Sequence, residues 1–204
     1  MMRQRLWISG LIAFTLMLMT GIGSVEAQDP DVMGETPVLL TSCGQSPGPT
    51  FVKLFLGRLN MEHELLEQAT PQDLIDAQEA GNPFKSLIIV TGASLKGMGA
   101  AGVSMREELA RTEELIAEAR RQGMTVIGAH VEGMDRRAQG AAPGDNSDEQ
   151  SIDAVMPNSD VMVVRQDGDE DRRFSIISES QGVPLVLFEK NMEMGDALSK
   201  VLKN

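Results

Sequence analysis

Apolar runs of four to six residues alternate along the chain with stretches whose apolar positions recur at helical spacing. The runs predict strands at 37–42 (PVLLTS), 85–91, 124–129, 160–165 and 183–188, with a short additional strand at 63–68. Between them, Phe51, Phe55 and Leu59 share one face of a helix over 50–60. Thr70-Pro71 places an N-cap and a first-turn proline before a brief helix. Ser104 and Glu107 form a capping box opening a long helix to Gln122, with Gly123 as its C-cap. Ser147 and Gln150 read as another capping box for a helix to Val155, and helices follow over 174–180 and 194–202. Strands buried on both faces and separated by amphipathic helices predict an α/β domain. Its expected form is a three-layer, doubly wound, mainly parallel sheet of five to six strands, flavodoxin-like or Rossmann-like. In such sheets a ligand crevice lies beyond the carboxyl ends of the strands, where the winding reverses. For a strand order 2-1-3-4-5, the flanking loops are those after strands one and three.

The first 27 residues read as a separate segment. Arg3 and Arg5 precede an apolar run from Leu6 to about Ile22, and Val25-Glu26-Ala27 fits a small-x-small cleavage site before Gln28. The expectation is a cleaved Sec-type signal, a flexible stretch over 28–36 and one domain over 37–204. The destination is the periplasm or the extracellular medium, with no membrane insertion after cleavage. Cys43 lies too far beyond the apolar run to be a lipidation site. A lone cysteine allows no internal disulfide in an oxidising compartment, so the hydrophobic core must hold the fold.

Charge narrows the partners. With 18 basic and 30 acidic residues the chain carries a net charge of −12, which repels nucleic-acid phosphates and anionic lipid surfaces. It contains no tyrosine, and its one tryptophan, Trp7, lies in the signal, so aromatic stacking platforms are scarce. The expected partner is a small anionic or polar molecule, not nucleic acid.

The candidate chemistry concentrates in two loops. After the strand at 85–91 come Thr91, Gly92, Ser94, Lys96, Gly97, Gly99 and Gly102, a glycine-rich loop that offers backbone amides to an anion beside one lysine. After the first strand come Ser42, Cys43, Gly44, Gln45 and Ser46, and Arg136 and Arg137 add charge further on. An equally open reading gives the glycines only tight turns and close helix–sheet packing. Residues 97–102 match G-x-G-x-x-G, but the six residues Thr91 to Lys96 stand between the apolar run and the motif, and the acid after the next strand, Glu132, comes too late for a dinucleotide fingerprint. No cofactor is expected. Cys43, before a helix N-terminus, is a candidate nucleophile with His130 as base and Glu132 as its orienter. Its strand is two spacings from that of His130, on the order of 10 Å.

Asp167, Asp169 and Asp171 alternate as in a calcium loop, but Arg172 stands in the glycine place and Ser178 in the bidentate-acid place. Met192 and Met194 lack a nearby Cys or His for copper, and no Cys/His set has zinc spacing, so no metal is expected.

The segments PVLLTSCGQSPG at 37–48 and IIVTGASLKGMGAAG at 88–102, with 130–137 and the later SD and VP-L elements, resemble an uncharacterised family of exported prokaryotic proteins. The resemblance spans 37 to about 189 and implies a secreted α/β domain with no assigned activity. The AQGAAPGDN insert at 138–146 departs from the family pattern and unsettles the placement of Arg136 and Arg137. The leading expectation is a small-ligand binder. The alternatives are a Cys-dependent hydrolase or transferase and a non-catalytic partner-binding or structural domain.

Overall fold

The computed structural model describes residues 34–138, 142–144 and 146–204. The expected signal, residues 28–33 and part of the 138–146 insert lie outside the described residues. In chain order the elements are β1 (Gly34–Glu35), β2 (Val38–Cys43), α1 (Gly48–Arg58), β3 (His63–Leu65), α2 (Pro71–Glu79), β4 (Ser86–Thr91), α3 (Leu95–Ala101) and α4 (Met105–Arg121). There follow β5 (Thr125–His130), α5 (Ser147–Val155), β6 (Val161–Arg165), α6 (Arg173–Gln181), β7 (Leu185–Phe188), α7 (Met194–Val201) and β8 (Leu202–Lys203).

Six strands form one wholly parallel sheet in the order β3-β2-β4-β5-β6-β7. Counted along the sheet strands alone, this is 2-1-3-4-5-6, the flavodoxin-like winding with a sixth strand. β2 and β4 are buried at every position, as continuous apolar runs predict for strands covered on both faces. Alternate side chains serve opposite faces. Val38, Leu40, Ile88, Val90 and Ile127 pack with Val52 and Leu56 of α1 and Leu198 of α7. Leu39, Leu87, Ile89 and Val126 pack with Leu74 of α2 and Leu115 and Ala119 of α4. Ile152 of α5 and Phe174 of α6 cover Met162 and Val164 on that same second face. The first and last described strands pair in parallel as β1–β8, and Ser86 Oγ accepts from the Glu35 amide at 2.9 Å at the amino end of β4. The switch in winding falls between β2 and β4, so the loops 44–47 and 92–94 flank it.

Three elements differ from expectation. Residues 95–101 are a helix instead of a glycine loop: the Ser94 hydroxyl caps it by accepting from the Gly97 amide at 3.0 Å, and Gly102 ends it in the left-handed region at φ 71°. The N-cap of α5 is Asn146, whose side chain accepts from the Glu149 amide at 3.1 Å, so Ser147 is already helical. β3 stops at Leu65, and the Leu66 amide adds one further bond to Leu40 O at 3.0 Å before the chain turns away.

Candidate functional site

The sheet register sets the spacing of the sequence's catalytic candidates. Cys43 is level with Thr91, and Val90 is level with Ala129, so Cys43, Thr91 and His130 occupy one row across β2, β4 and β5. Thr91 sits between the other two. Its Oγ lies 3.0 Å from His130 Nδ1, while His130 Nε2 lies 2.9 Å from Gly133 O. A carbonyl only accepts, so Nε2 carries the proton and Nδ1 accepts from the Thr91 hydroxyl. Both ring nitrogens are committed, and the ring packs on Phe174 at 4.9 Å between centroids. Burial lowers the His130 pKa to about 4. Burial likewise raises the Cys43 thiol to about 11, with Thr112 hydrogen bonding opposing the rise and the Glu108 charge adding to it. Glu132 turns away from His130: its Oε2 accepts from the Gly48 amide at 3.1 Å and its Oε1 from Arg136 Nε at 3.1 Å. The Cys43, His130 and Glu132 relay is therefore not assembled, because Thr91 fills the gap and Glu132 belongs to the opening of α1.

The two loops at the switch point do meet. Gly44 O accepts from the Ser94 amide at 2.7 Å, and Gln45 bridges Ala93. Gly97 is required by this approach: a Cβ there would stand 2.1 Å from Gln45 O. Gly92, at φ 128°, lies under the Arg136 side chain, which a Cβ would meet at 3.0 Å.

The amides expected to hold a ligand already have partners within the chain. Gly44 N–H donates to Glu108 Oε2 at 2.9 Å, and Gln45 Nε2 donates to the same oxygen at 3.0 Å. Gly92 N–H goes to Ser151 Oγ at 2.9 Å, Ala93 N–H to Asp148 Oδ1 at 2.7 Å, and Gly102 N–H to Gly99 O at 3.3 Å. Desolvation pushes the Asp148 carboxyl up, against the opposing hydrogen bond from Ala93. Gly99 lies within α3, and Lys96 is exposed on its first turn. The expected nest of Gly44, Gly97, Gly99 and Gly102 amides does not form, because helix bonds and internal side chains take those that would build it.

The arginines part company. Arg136 remains partly accessible; its Nη1 donates to Ala93 O at 3.0 Å, and its Nη2 makes no hydrogen bond among the described residues. Arg137 is fully buried and committed to Glu149 at 2.6 Å, Asp171 at 2.6 Å and Gly168 O, with its guanidinium 5.4 Å from the Phe174 ring centre. It clamps α5 to the start of α6 and is unavailable to a ligand. Asp169 caps α6 through the Phe174 amide at 2.7 Å, while Asp167 pairs with Arg165, so the three aspartates face different partners.

The two loops also bring together a polar cluster at the start of α1, buried at Ser42, Ser46 and Glu132. Ser46 Oγ and Glu132 Oε2 both take the Gly48 amide, and the Ser42 hydroxyl is buried without a hydrogen-bond partner. Sequence reasoning missed Glu108, Arg111 and Asp148, which organise these loops. Arg111 ties Ser42 O at 2.5 Å and Ala69 O at 2.8 Å to the Glu108 carboxylate. A signal existed, because Glu108 and Thr112 share the buried helical stripe of Leu115 and Ala119. Among the described residues no group of three His, Cys, Asp or Glu side chains is placed to hold a metal, and no helix is long and apolar enough to cross a membrane.

The fold is a doubly wound α/β domain whose two switch-point loops meet over a cluster of polar side chains. The chain belongs to the family described as Domain of unknown function (DUF6305), whose model matches residues 35–202. No curated protein matches it. Among solved structures it is similar to the psychrotrophic esterase EstA from Pseudoalteromonas sp., at 10% identity and TM-score 0.33 over 81% of this chain and 94% of that one. It is also similar to the acetyl xylan esterase AlAXEase, at 12% identity and TM-score 0.35 over 79% and 80%. A third is a GDP-L-fucose synthetase from Naegleria fowleri bound to NADP, at 8% identity and TM-score 0.36 over 78% and 51%. Likenesses this distant carry no activity to this chain.

Proposed function

We propose that this is an exported domain that binds a small polar molecule at the switch-point cleft, between the 44–47 loop and the start of α3. One observation carries the reading: Ser42 Oγ is a buried hydroxyl without a partner on β2, the strand that leads into the loop of Ser46 and the Gly48 amide, and the Glu132 carboxylate on that amide also holds the partly accessible Arg136. An unsatisfied buried hydroxyl costs about 1–3 kcal/mol, and a polar guest removes that cost. Ser46 and Ser94 supply further hydroxyls, and Lys96 and Arg136 supply positive charge at the rim of an otherwise acidic protein. The test is amide chemical-shift mapping of the purified protein against small carboxylates, phosphates and neutral polyols. Movement of Ser46, Gly48 and Ser94 together supports the reading, and their silence to every probe at millimolar concentration refutes it.

A second reading, the non-catalytic partner-binding or structural domain, is favoured by the internal carboxylates that already take the Gly44, Gly48 and Ala93 amides. The Cys-dependent alternative gains no support from a thiol and an imidazole that are both fully buried.

A further inference from the structure

We infer that the Glu132 carboxylate is the protein's own occupant of a carboxylate subsite at the start of α1, and that a carboxylate-bearing ligand takes its place. This inference rests on the small-ligand reading above and names the chemical class. α1 is an eleven-residue helix whose N-cap, Pro47, makes no side-chain cap, and its first turn holds no acidic residue. A helix start of that kind attracts an anion. The anion present comes from 84 positions along the chain: Glu132 Oε2 on the Gly48 amide and Oε1 on Arg136 Nε, each at 3.1 Å. One main-chain amide and one guanidinium holding two oxygens of one carboxylate is the donor set that a bound carboxylate uses.

Three features fit a guest better than a permanent cap. Gly48 leaves space for the oxygens, since a Cβ there would stand 3.0 Å from Glu132 Oε2 and 2.7 Å from Val90 Cγ1. Val90 is the cross-strand neighbour of Ser42, so the Ser42 hydroxyl, buried and without a partner, lies beneath the same turn of α1. Glu132 satisfies the amide and leaves that hydroxyl unmet. Among the described residues Arg136 Nη2, beside the Nε that Glu132 uses, also has no partner. A ligand carboxylate with a longer or differently angled stem reaches the amide, the Ser42 hydroxyl and the Arg136 edge together, while Glu132 swings out.

The test compares the wild-type protein with Glu132→Ala, using sodium acetate as probe and sodium chloride at matched ionic strength as control. Wild-type Glu132 competes with acetate, so removing it raises acetate affinity by about tenfold or more if the site is open for less than about a tenth of the time. Gly48 N–H and Arg136 Nε–H resonances move with acetate in the variant, and adding Ser42→Ala to it weakens acetate severalfold. Equal acetate affinity in both proteins, no Gly48 response in the variant, or indifference to Ser42→Ala overturns the inference. Should Glu132→Ala not fold, Glu132→Gln keeps the shape with a weaker acceptor, and the same Gly48 response to acetate is required of it. If wild-type Ser46 and Ser94 answer another probe while the variant ignores acetate, the carboxylate assignment fails and the small-ligand reading stands. Silence in both proteins removes both.

Discussion

His130 links the depth of the site to the acid limit of the fold. Its neutral ring donates to Gly133 O and accepts from Thr91, and burial holds its pKa at about 4 against an ordinary value of 6.5. Above pH 6.5 the ring is neutral in both folded and unfolded chains and contributes no pH dependence. Between 6.5 and 4 the unfolded chain binds a proton that the folded chain refuses, so stability falls as pH falls, and the effect levels off below 4. A depression of about 2.5 units at about 1.36 kcal/mol per unit gives a total loss of about 3 kcal/mol. His130→Gln keeps a donor and an acceptor without a titrating group. Urea unfolding of both proteins at pH 7.5, 6.5, 5.5 and 4.5 is the assay. The variant starts lower, by about 1–2 kcal/mol for imperfect hydrogen bonds, and the gap narrows or reverses toward pH 4.5. Carboxylates that titrate in acid, such as Asp171, are common to both proteins and cancel in the difference. Parallel stability curves across that range would refute the assignment of a buried neutral imidazole.

Other outcomes follow from the same geometry. Cys43 stays unlabelled by iodoacetamide in the folded protein at pH 8 and reacts on unfolding in urea, since its thiol is buried and its pKa stands near 11; rapid labelling of the native protein would contradict the buried placement. Gly97→Ala lowers the melting temperature, by about 1–3 kcal/mol of stability, because the added methyl strikes Gln45 O. Gly99→Ala, in the same helix with nothing within 4 Å, raises it by about 0.5–1 kcal/mol. Arg137→Ala costs about 3–5 kcal/mol in chemical denaturation by stranding the fully buried Glu149, whereas Arg121→Ala, on an exposed arginine, leaves the unfolding midpoint nearly unchanged. Similar losses for these last two would show that the Arg137 clamp is not a desolvated pair.

Much of the architecture is legible in the chain because burial on both faces imposes an unbroken apolar run. The expected 85–91 strand is Ser86–Thr91, and the expected 124–129 strand is Thr125–His130, each within one residue at either end. The Thr70 N-cap with Pro71 behind it and the capping box at Ser104 are local, each contained within four residues, and both form. The glycine-rich segment is different. Its composition suits a loop, but Ser94 nucleates a helix there, and the docking of Gly97 on Gln45 O holds it against the neighbouring loop.

Composition and periodicity alone therefore determine that this chain builds a doubly wound, mainly parallel sheet, and its winding reverses between β2 and β4. They reach that far because strand burial and helix capping are written within a few neighbouring residues. Only the tertiary structure decides which side chains meet at that switch point. Glu108 reaches Gly44 across 64 positions and Glu132 reaches Gly48 across 84, while Thr91 stands between Cys43 and His130 through strand register. Those pairings depend on three-dimensional packing, by which the protein's own carboxylates take amides that an anion nest would have offered.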